Sequence, residues 1–254
     1  MSRTPRIVIM GATSGIGREV ALIYINRGYT VGVAGRRAEL LQELVALAPE
    51  RVFSSVIDVT NEDAEARLLL LVEKLGGMDI YFHSSGIGHQ NAELLSSVEL
   101  DTLRTNGEGF ARMIGAAFRY FAAQADTLTA EGRVARIAAI SSIAGTKGLG
   151  VSPAYSATKR FQNTYLQALA QLARMRRIPL RFTDIRPGFV QTALLNDSHS
   201  YPMMLRPAAV AREIVRAIDR GKRVRVIDWK YRILTALWRL IPDFIWEMVR
   251  VKTK

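Results

Sequence analysis

The fold of this chain is decided by the stretch Arg6-Ile-Val-Ile-Met-Gly-Ala-Thr-Ser-Gly-Ile-Gly17. Residues 6–10 form a short apolar run that predicts a buried strand, and residues 18–26, closed by Gly28, have the apolar spacing of a helix. Glycines at a strand-to-helix turn let the backbone approach a pyrophosphate, whose charge is stabilised by the free amides and dipole of the helix N-terminus. A plain turn is the alternative, which the strand–turn–helix context disfavours. We therefore predict a dinucleotide-binding turn, formed by Gly11, Thr13, Ser14, Gly15, Ile16 and Gly17.

Beyond this stretch, strand and helix patterns alternate without a linker, a repeat or a low-complexity segment. The predicted strands are residues 29–34, 52–57, 78–82, 136–141, 180–185 and 223–227. The predicted helices are residues 38–47, 61–75, 154–177 and 207–220. Such alternation is typical of a parallel sheet with helices on both faces, and 254 residues fit one domain of that kind. We therefore predict a single α/β domain over residues 1–254, with a doubly wound parallel sheet of about seven strands.

The composition excludes several kinds of site. Cysteine is absent, which rules out disulfides, thiol nucleophiles and cysteine-ligated zinc, and fits a reducing, cytoplasmic location. The histidines His83, His89 and His199 show no metal-ligand spacing, so we expect no metal. Residues 1–6 lack an apolar signal core, and no run reaches the roughly 18 apolar residues of a membrane span.

The net charge of +12 raises the question of a nucleic-acid or anionic-membrane partner. Residues 222–254 hold nine Lys and Arg against three acidic residues, a net charge of +6 and half of the excess. No nucleic-acid-binding motif accompanies this segment. The charge therefore belongs mainly to the C-terminal part of the chain, and we expect no nucleic-acid partner.

A second stretch, from Ser142 to Lys159, carries residues suited to acid–base chemistry. On a helix, the spacing of Tyr155 and Lys159 places the phenol and the ammonium side by side. A free tyrosine has a pKa of about 10, and an adjacent cation lowers that pKa by roughly 1–3, towards the range of a general acid/base. Ser142 supplies a hydroxyl that could hold a substrate carbonyl oxygen beside the phenol. Taken without Ser142, the tyrosine–lysine pair has an alternative explanation, a chance pair on a solvated helix face.

Ser142, followed thirteen residues later by Tyr155-x-x-x-Lys159, and the glycine pattern of residues 11–17 resemble the short-chain dehydrogenase/reductase family, in its non-extended branch. The resemblance covers nearly the whole chain and implies a single-domain Rossmann fold. It implies that Tyr155 donates a proton, that Lys159 lowers the pKa of the phenol and holds the cofactor ribose, and that Ser142 positions the carbonyl oxygen. It also makes Asn106 the asparagine that holds a water between Lys159 and solvent. A helical asparagine that kinks the chain is the alternative for Asn106.

The residues after the second predicted strand bear on the choice of cofactor. A site that prefers NAD usually has Asp or Glu there, about twenty residues past the glycines, to hold the ribose 2′-hydroxyl. This chain has Gly35, Arg36 and Arg37 instead. A carboxylate would repel a 2′-phosphate, whereas a guanidinium binds it through paired hydrogen bonds. Arginines on a loop are often only solvated, but together with the missing acid they favour NADP(H) over NAD(H).

The resemblance implies further contacts with the cofactor. Asp58 and Val59 would border the adenine, although Asp58 could instead cap the following helix. Where the family usually has Asn-Asn-Ala-Gly, this chain has His83-Ser-Ser-Gly86, so Gly86 is retained and we assign His83 no specific role. The loop after the sixth predicted strand resembles the family's Pro-Gly loop, and its residues at the nicotinamide would be Pro187, Gly188, Val190 and Thr192.

Two segments remain for the substrate and for partners. Residues 193–206 lie where the family has a mobile substrate lid. Residues 229–254 contain all three tryptophans among apolar and basic residues, broken at Pro242. They predict either a pair of short helices that close the site or form an interface, in keeping with the homodimers and homotetramers of the family, or a peripheral membrane segment. This segment also resembles, more weakly, reductases of polyprenyl-phosphate-linked keto-sugars, and simpler lipophilic carbonyls fit as well.

Together these features predict an NADP(H)-dependent oxidoreductase. It would reduce a carbonyl, or oxidise a secondary alcohol, by hydride transfer with Tyr155 as acid/base. A non-catalytic dinucleotide-binding sensor on the same fold is the alternative. Such a sensor has no need of Ser142, Tyr155 and Lys159 together, so their joint presence argues against it.

Overall fold

Seven strands, all parallel, form one sheet in the computed structural model, which describes residues 3–192 and 201–249. The strands are β1 (Arg6–Met10), β2 (Thr30–Gly35), β3 (Val52–Val56), β4 (Ile80–His83), β5 (Ala135–Ile140), β6 (Leu180–Arg186) and β7 (Val224–Val226). Their order across the sheet is β3-β2-β1-β4-β5-β6-β7. The prediction of a single α/β domain with a doubly wound parallel sheet is confirmed.

Helices cover both faces of this sheet. The first half of the chain contributes α1 (Gly15–Asn26), α2 (Ala38–Ala46), α3 (Ala64–Lys74), α4 (Ser96–Leu103), α5 (Phe110–Ala123) and α6 (Ala125–Ala130). The second half contributes α7 (Pro153–Met175), α8 (Pro207–Asp219), α9 (Trp229–Leu240) and α10 (Asp243–Trp246). A π-helical turn, Arg104–Gly109, joins α4 to α5.

Alternating side chains of the strands divide the core between the two faces. On β1, Ile7 and Ile9 pack in one apolar cluster with α1, α2 and α8, whereas Val8 and Met10 pack in a second cluster with α3, α5 and α7. Successive strand residues point to opposite faces, so a strand buried on both sides is a continuous apolar run. This explains the unbroken Ile-Val-Ile-Met sequence at the start of the chain.

The order of the strands reverses between β1 and β4. From β1 the chain moves outward to β2 and β3, and then returns to β4 on the other side of β1. Ligands of open parallel sheets bind at such a reversal, outside the carboxyl ends of the strands. The glycine turn follows β1 at this edge, and Ser142 follows β5 at the same edge.

Most predicted elements are present, with ends that differ by a few residues. The largest difference is α3, which begins at Ala64 rather than at residue 61. Here the amide of Asn61 donates to the carbonyl of Asp58, and the amide of Ala64 to that of Asn61, so the chain turns before the helix starts. The C-terminal segment forms the predicted pair of short helices, with Pro242 between them. Proline has no amide hydrogen to continue a helix, so α9 ends before it, at Leu240.

Candidate active site

Ser142 lies directly after β5. Its Oγ accepts a hydrogen bond from the Ala144 amide at 3.0 Å and so caps the short 3₁₀ turn Ile143–Thr146. This amide uses an acceptor position of the oxygen and leaves the hydroxyl hydrogen available. Ser142 is also hydrogen-bonded with the phenol of Tyr155. The serine hydroxyl is therefore fixed by the backbone and directed towards Tyr155.

Tyr155 and Lys159 lie in the first two turns of α7, which begins at Pro153. Proline suits the first position of a helix because the amide that it lacks would have no partner there. Lys159 Nζ lies 5.6 Å from the centroid of the Tyr155 ring. The structure thus brings Ser142, Tyr155 and Lys159 together, although they come from two different elements.

The pKa of Tyr155 differs from the sequence-based expectation. Burial raises the pKa of the phenol, and the hydrogen bond with Ser142 lowers it by less. Lys159, whose Nζ lies 5.6 Å from the centroid of the ring, does not offset this rise. The net direction is therefore opposite to the sequence-based expectation, and the role assigned to Lys159 stays a prediction. Tyr155 is a protonated phenol at neutral pH.

Lys159 is itself buried, and only 5% of it is exposed. Burial lowers the pKa of its ammonium to about 8, while the nearby Asp184 carboxylate raises it in part. Nζ donates to the Ile140 carbonyl at 3.3 Å and to Gln162 Oε1 at 3.1 Å. The lysine is held by two neutral acceptors and keeps its charge below pH 8.

Gln162 links Lys159 to Asn106. Its Nε2 donates to the backbone carbonyl of Asn106 at 2.9 Å, and both residues are fully buried. The resemblance implied a water between Lys159 and solvent, held by Asn106. In this chain the side-chain amide of Gln162 connects Lys159 to the Asn106 carbonyl, and the water stays a prediction.

Asn106 also fixes the loop after β4. It lies in the π-helical turn, its Oδ1 accepts from the Ile87 amide at 2.9 Å, and its Nδ2 donates to the Ile87 carbonyl at 2.6 Å. A π-turn interrupts regular helical hydrogen bonding and is frequent at functional sites. The pair of bonds holds the loop against Tyr155, since a Cβ on Gly88 would lie 2.8 Å from the tyrosine ring.

His83 is a structural residue rather than a proton carrier. It is fully buried, its Nδ1 is hydrogen-bonded with the Tyr81 hydroxyl at 3.0 Å, and its ring packs edge-on against Phe110 at 5.1 Å. Burial and the charge of Lys159 lower its pKa to about 3. The imidazole is therefore neutral over the physiological range.

The glycine turn after β1 has the geometry of a phosphate cradle. Gly11 has a φ of +87°, and a Cβ there would lie 2.7 Å from the Ser85 amide nitrogen, so the turn packs on the loop after β4. A Cβ on Gly17 would lie 2.0 Å from the Gly11 carbonyl oxygen. The first turn of α1 carries no acidic side chain that would compete with an anion for its amides. These residues fit the diphosphate of a dinucleotide.

Arg36 and Arg37 differ in their surroundings. Arg37 Nη2 donates to Thr13 Oγ1 and to Ser14 Oγ, both at 2.7 Å, and so lies over the glycine turn. The Arg36 side chain is 71% exposed and lies 3.9 Å from the Asp58 carboxylate. A Cβ on Gly35 would lie 2.8 Å from Thr13 Cγ2, so the position where NAD sites have an acid has no room for a side chain.

The other predicted cofactor residues surround the same cleft. Asp58 does not cap α3, because its Oδ1 accepts from the amide and hydroxyl of Thr60, at 3.0 and 2.8 Å. Burial raises the pKa of Asp58, but these bonds and Arg36 outweigh it, so that the pKa is lowered.

The remaining predicted cofactor residues lie on three loops. Val59 packs on the π-turn at Gly109, and Gly86 lies between Asn106 and Lys159. After β6, the Pro187 carbonyl accepts a hydrogen bond from the Ile143 amide, Val190 is buried, and Thr192 packs on Gly15.

Two aromatic residues of the C-terminal helices hold the loops around the cleft. Tyr231 packs on Gly188, where a Cβ would lie 2.1 Å from its ring. Its oxygen accepts from the Phe189 amide at 3.2 Å and donates a shared hydrogen bond to the Pro202 and Met203 carbonyls, at 3.0 and 3.1 Å. Trp246 Nε1 donates to the Gly148 carbonyl at 2.6 Å. The helices therefore fasten the loop before α7, the loop after β6 and the segment before α8.

Sequence reasoning missed Gln162, Tyr231, Trp246 and a buried carboxylate, Asp184. Asp184 is 1% exposed and accepts from Ser141 Oγ at 2.5 Å, Asn163 Nδ2 at 3.2 Å and Arg186 Nη2 at 2.6 Å. It supports the strand end that carries Ser142. The available signal was a carboxylate inside the predicted strand over residues 180–185, because buried acids are rare unless they are paired.

Residues 193–200 of the predicted lid and residues 250–254 of the C-terminal segment lie outside the described residues. The described part of the lid continues the fold, since the Gln191 amide donates to the Leu205 carbonyl and the Leu205 amide to the Phe189 carbonyl. Within residues 3–192 and 201–249 there is no cluster of acidic or imidazole groups placed to hold a metal ion. The helices in this part of the chain are too short or too polar to span a membrane.

Comparison with known proteins agrees with this geometry. A family model described as short chain dehydrogenase matches residues 5–201. An "uncharacterized oxidoreductase" of Myxococcus xanthus is 29% identical over 250 residues, which cover 94% of this chain and 94% of that protein. Another, from Mycobacterium tuberculosis, is 27% identical over 248 residues, with 93% of this chain and 94% of that protein covered.

Solved structures share the fold. One is a 3-ketoacyl-(acyl-carrier-protein) reductase from Brucella melitensis complexed with NADH, with a TM-score of 0.76 and 22% identity over 88% of this chain and 96% of that one. Another is an actinorhodin polyketide ketoreductase with NADPH, with a TM-score of 0.74 and 24% identity over 89% of this chain and 97% of that one. At these identities the likeness concerns the fold alone.

Proposed function

The chain belongs to the short-chain dehydrogenase family, and we propose that it is an NADP(H)-dependent reductase of a carbonyl group, or a dehydrogenase of a secondary alcohol in the reverse direction. The observation that carries this proposal is the group of Ser142, Tyr155 and Lys159 at the carboxyl edge of the sheet. A serine hydroxyl fixed by the backbone, the phenol of a half-buried tyrosine and a buried ammonium together form a proton-donating site beside a phosphate cradle.

The chain's own residues account for the movement of the proton. When bound, a reduced nicotinamide supplies the hydride that the carbonyl carbon accepts. Tyr155 then gives its phenolic proton to the oxygen of the same carbonyl, which becomes a hydroxyl. Ser142 donates a hydrogen bond to that oxygen as negative charge develops on it. The phenolate left on Tyr155 would be stabilised by the buried ammonium of Lys159, whose Nζ lies 5.6 Å from the centroid of the ring.

The raised pKa of Tyr155 suits the reducing direction. A phenol that stays protonated at neutral pH has a proton to donate to the substrate. The phenolate forms only when the substrate oxygen takes that proton. Oxidation of an alcohol needs the phenolate at the start, so we expect that direction to gain rate with rising pH.

The choice of NADP(H) is supported by the region after β2. Arg36 has an exposed guanidinium there, and Arg37 lies over the glycine turn. Gly35 leaves no room for the carboxylate that would accept a 2′-hydroxyl. Among the similar folds, one structure holds NADH and another NADPH, so the fold itself accepts either cofactor. Residues 201–206, which pair with residues 189–191, would cover the substrate together with the rest of the predicted lid.

Tyr155→Phe tests the proposal. The protein is first screened with NADPH against ketones, keto-sugars and lipid carbonyls, and the best substrate is then used in single-turnover measurements. The variant should bind NADPH with nearly unchanged affinity in a fluorescence titration, while the chemical step slows by roughly 10²–10⁴-fold, the usual contribution of a positioned general acid. Turnover above a third of the wild-type rate, with chemistry shown to be rate-limiting, would exclude Tyr155 as the proton donor.

A further inference from the structure

We propose that the outward face of α9 and α10 docks on the surface of an anionic membrane. The two helices have different inner and outer faces. Inside, Tyr231, Thr235 and Trp246 are buried against the domain, and Lys147 forms an ion pair with Asp243 at 2.5 Å. These contacts account for one side of the helices only.

The outer face of α9 is an apolar stripe. Trp229, Ile233, Leu237 and Leu240 are 57%, 53%, 55% and 78% exposed. Their spacing of four, four and three residues places them on one side of a helix, within a sector of about 80°. Exposed apolar side chains continue beyond Pro242, where Phe244 is 67% and Met248 is 72% exposed. Single exposed apolar residues are ordinary, but a contiguous row marks an interaction surface.

Basic side chains flank this stripe. On a helical projection Lys230 lies at one border, and Arg232 and Arg239 lie beyond the other. No acidic residue occurs between Trp229 and Leu240, and the helix N-terminus is capped by Asp228, which accepts from the Lys230 amide at 2.8 Å. An apolar face bordered by cations, with a tryptophan at its end, has the character of a helix lying in the plane of a bilayer surface.

The charges decide between a bilayer and a second copy of this chain. Two copies joined through this face about a two-fold axis would place the arginines of one close to the basic side chains of the other, and the repulsion would oppose the contact. An anionic lipid surface attracts the same side chains, each contributing about fivefold to the affinity. The occupant that complements both the apolar stripe and its borders is therefore an anionic bilayer.

Docking in this way would also orient the active site. The inner side of the same helices fastens Gly148, in the loop before α7, and the carbonyls of Pro202 and Met203, in the segment before α8. The mouth of the cleft would then lie at the bilayer surface, within reach of a carbonyl carried by a lipophilic molecule. This last step rests on the proposed reductase, whereas the docking itself does not.

The test is sedimentation of the full-length protein with vesicles, and it needs no turnover. Vesicles of phosphatidylcholine mixed with phosphatidylglycerol are compared with phosphatidylcholine alone, at low salt and at about 0.15 M salt. The wild type should bind the mixed vesicles more tightly and lose affinity as salt rises. Leu237→Gln with Leu240→Gln should weaken binding at least tenfold, and Arg232→Gln with Arg239→Gln should weaken it by about 25-fold at low salt.

Matched controls carry the same changes elsewhere on the surface. Leu47→Gln with Leu70→Gln replaces leucines that are 56% and 57% exposed, and Arg104→Gln with Arg216→Gln replaces arginines with side chains 63% and 59% exposed. Both should bind vesicles as the wild type does. The proposal is overturned if the wild type fails to bind mixed vesicles at low salt or if the α9 variants bind like the controls. It is also overturned if those variants change the mass in sedimentation velocity without vesicles, because the face would then be an interface between copies.

Discussion

Gln162 lies three residues after Lys159 on α7, and its amide connects two residues of the site. Oε1 accepts from Lys159 Nζ at 3.1 Å, and Nε2 donates to the Asn106 carbonyl at 2.9 Å. An amide does not take up or release protons near neutral pH. It therefore holds the ammonium in place but does not carry a proton away from it. Its main effect should be on the charge of Lys159.

Two substitutions of Gln162 should shift the pKa of Lys159 in opposite directions. Gln162→Leu removes an acceptor from the charged form, so the pKa should fall below its wild-type value of about 8. Gln162→Glu adds a carboxylate beside the ammonium and should raise the pKa. The pKa is measured by nuclear magnetic resonance on protein labelled at the lysine Cε carbons, with Lys159→Gln to assign the signal.

Gln171→Leu, a change on the same helix far from the site, is the control and should leave this pKa unchanged. In the reductase assay, the pH at which the rate changes should move with the measured pKa of Lys159. A pKa that stays constant in both Gln162 variants would show that the hydrogen bond contributes nothing to holding the charge. Because the resonance measurement needs no turnover, its result stands apart from the proposed activity.

Tyr155 and Lys159 were predictable as neighbours because they are four positions apart on a helix, and the family resemblance implied that Ser142 joins them. Gln162 was not. Its contact with Asn106 spans 56 positions, and no local pattern reports such a distance. The direction in which the pKa of Tyr155 shifts could not be predicted from the sequence either. It depends on the burial of the phenol in the fold rather than on its neighbours along the chain.

At the scale of elements, α9 is held to the domain by the hydroxyl of Tyr231. The oxygen pairs with the Phe189 amide and with the carbonyls of Pro202 and Met203. Tyr231→Phe should leave these backbone groups without a partner in a buried place, at a cost of about 1–3 kcal/mol in the free energy of unfolding. Urea unfolding gives the global value, and hydrogen exchange of the Phe189 amide shows whether the loss is local.

Tyr165→Phe is the matched control, because this half-buried tyrosine stacks on Phe161 and makes no hydrogen bond through its hydroxyl within the described parts of the chain. It should change stability by less than about 0.5 kcal/mol. If Tyr231→Phe changes neither the free energy of unfolding nor the exchange rate of the Phe189 amide by more than this control does, α9 is not held to the domain through this hydroxyl.

The sequence left open whether residues 229–254 form a pair of short helices on the domain or a peripheral membrane segment, and which side of such helices would face the domain. Aromatic residues are present on both sides of α9 and α10, so composition alone does not distinguish Tyr231, which is buried, from Trp229, which is exposed. What decides it is Gly188, 43 residues earlier, whose missing side chain makes room for the ring of Tyr231. The parallel arrangement of the strands, in contrast, follows from the alternation of strands and helices along the chain.

At the scale of the whole molecule, a dinucleotide would contact loops that follow β1, β2, β3, β4 and β6, and so would join both halves of the sheet. A ligand that binds only the folded state raises its stability by an amount set by concentration and affinity. NADPH should therefore raise the melting temperature more than NADH at equal concentration, because Arg36 and Arg37 lie where a 2′-phosphate would be. Equal shifts with the two cofactors would contradict the proposed preference.

Arg36→Ala isolates the guanidinium that makes this difference. Its side chain is 71% exposed and only loosely paired with Asp58, so it is free to bind a phosphate, whereas Arg37 is engaged with Thr13 and Ser14. Loss of a charge-assisted hydrogen bond weakens binding by roughly 10- to 150-fold, which reduces the NADPH-induced shift by about 3–10 °C in a domain of this size. The shift with NADH should hardly change. Arg104→Ala, at a side chain that is 63% exposed and outside the predicted cofactor contacts, should leave both shifts as they are in the wild type. A variant at Arg36 that loses NADH and NADPH stabilisation equally would mean that this side chain supports the loop rather than the 2′-phosphate.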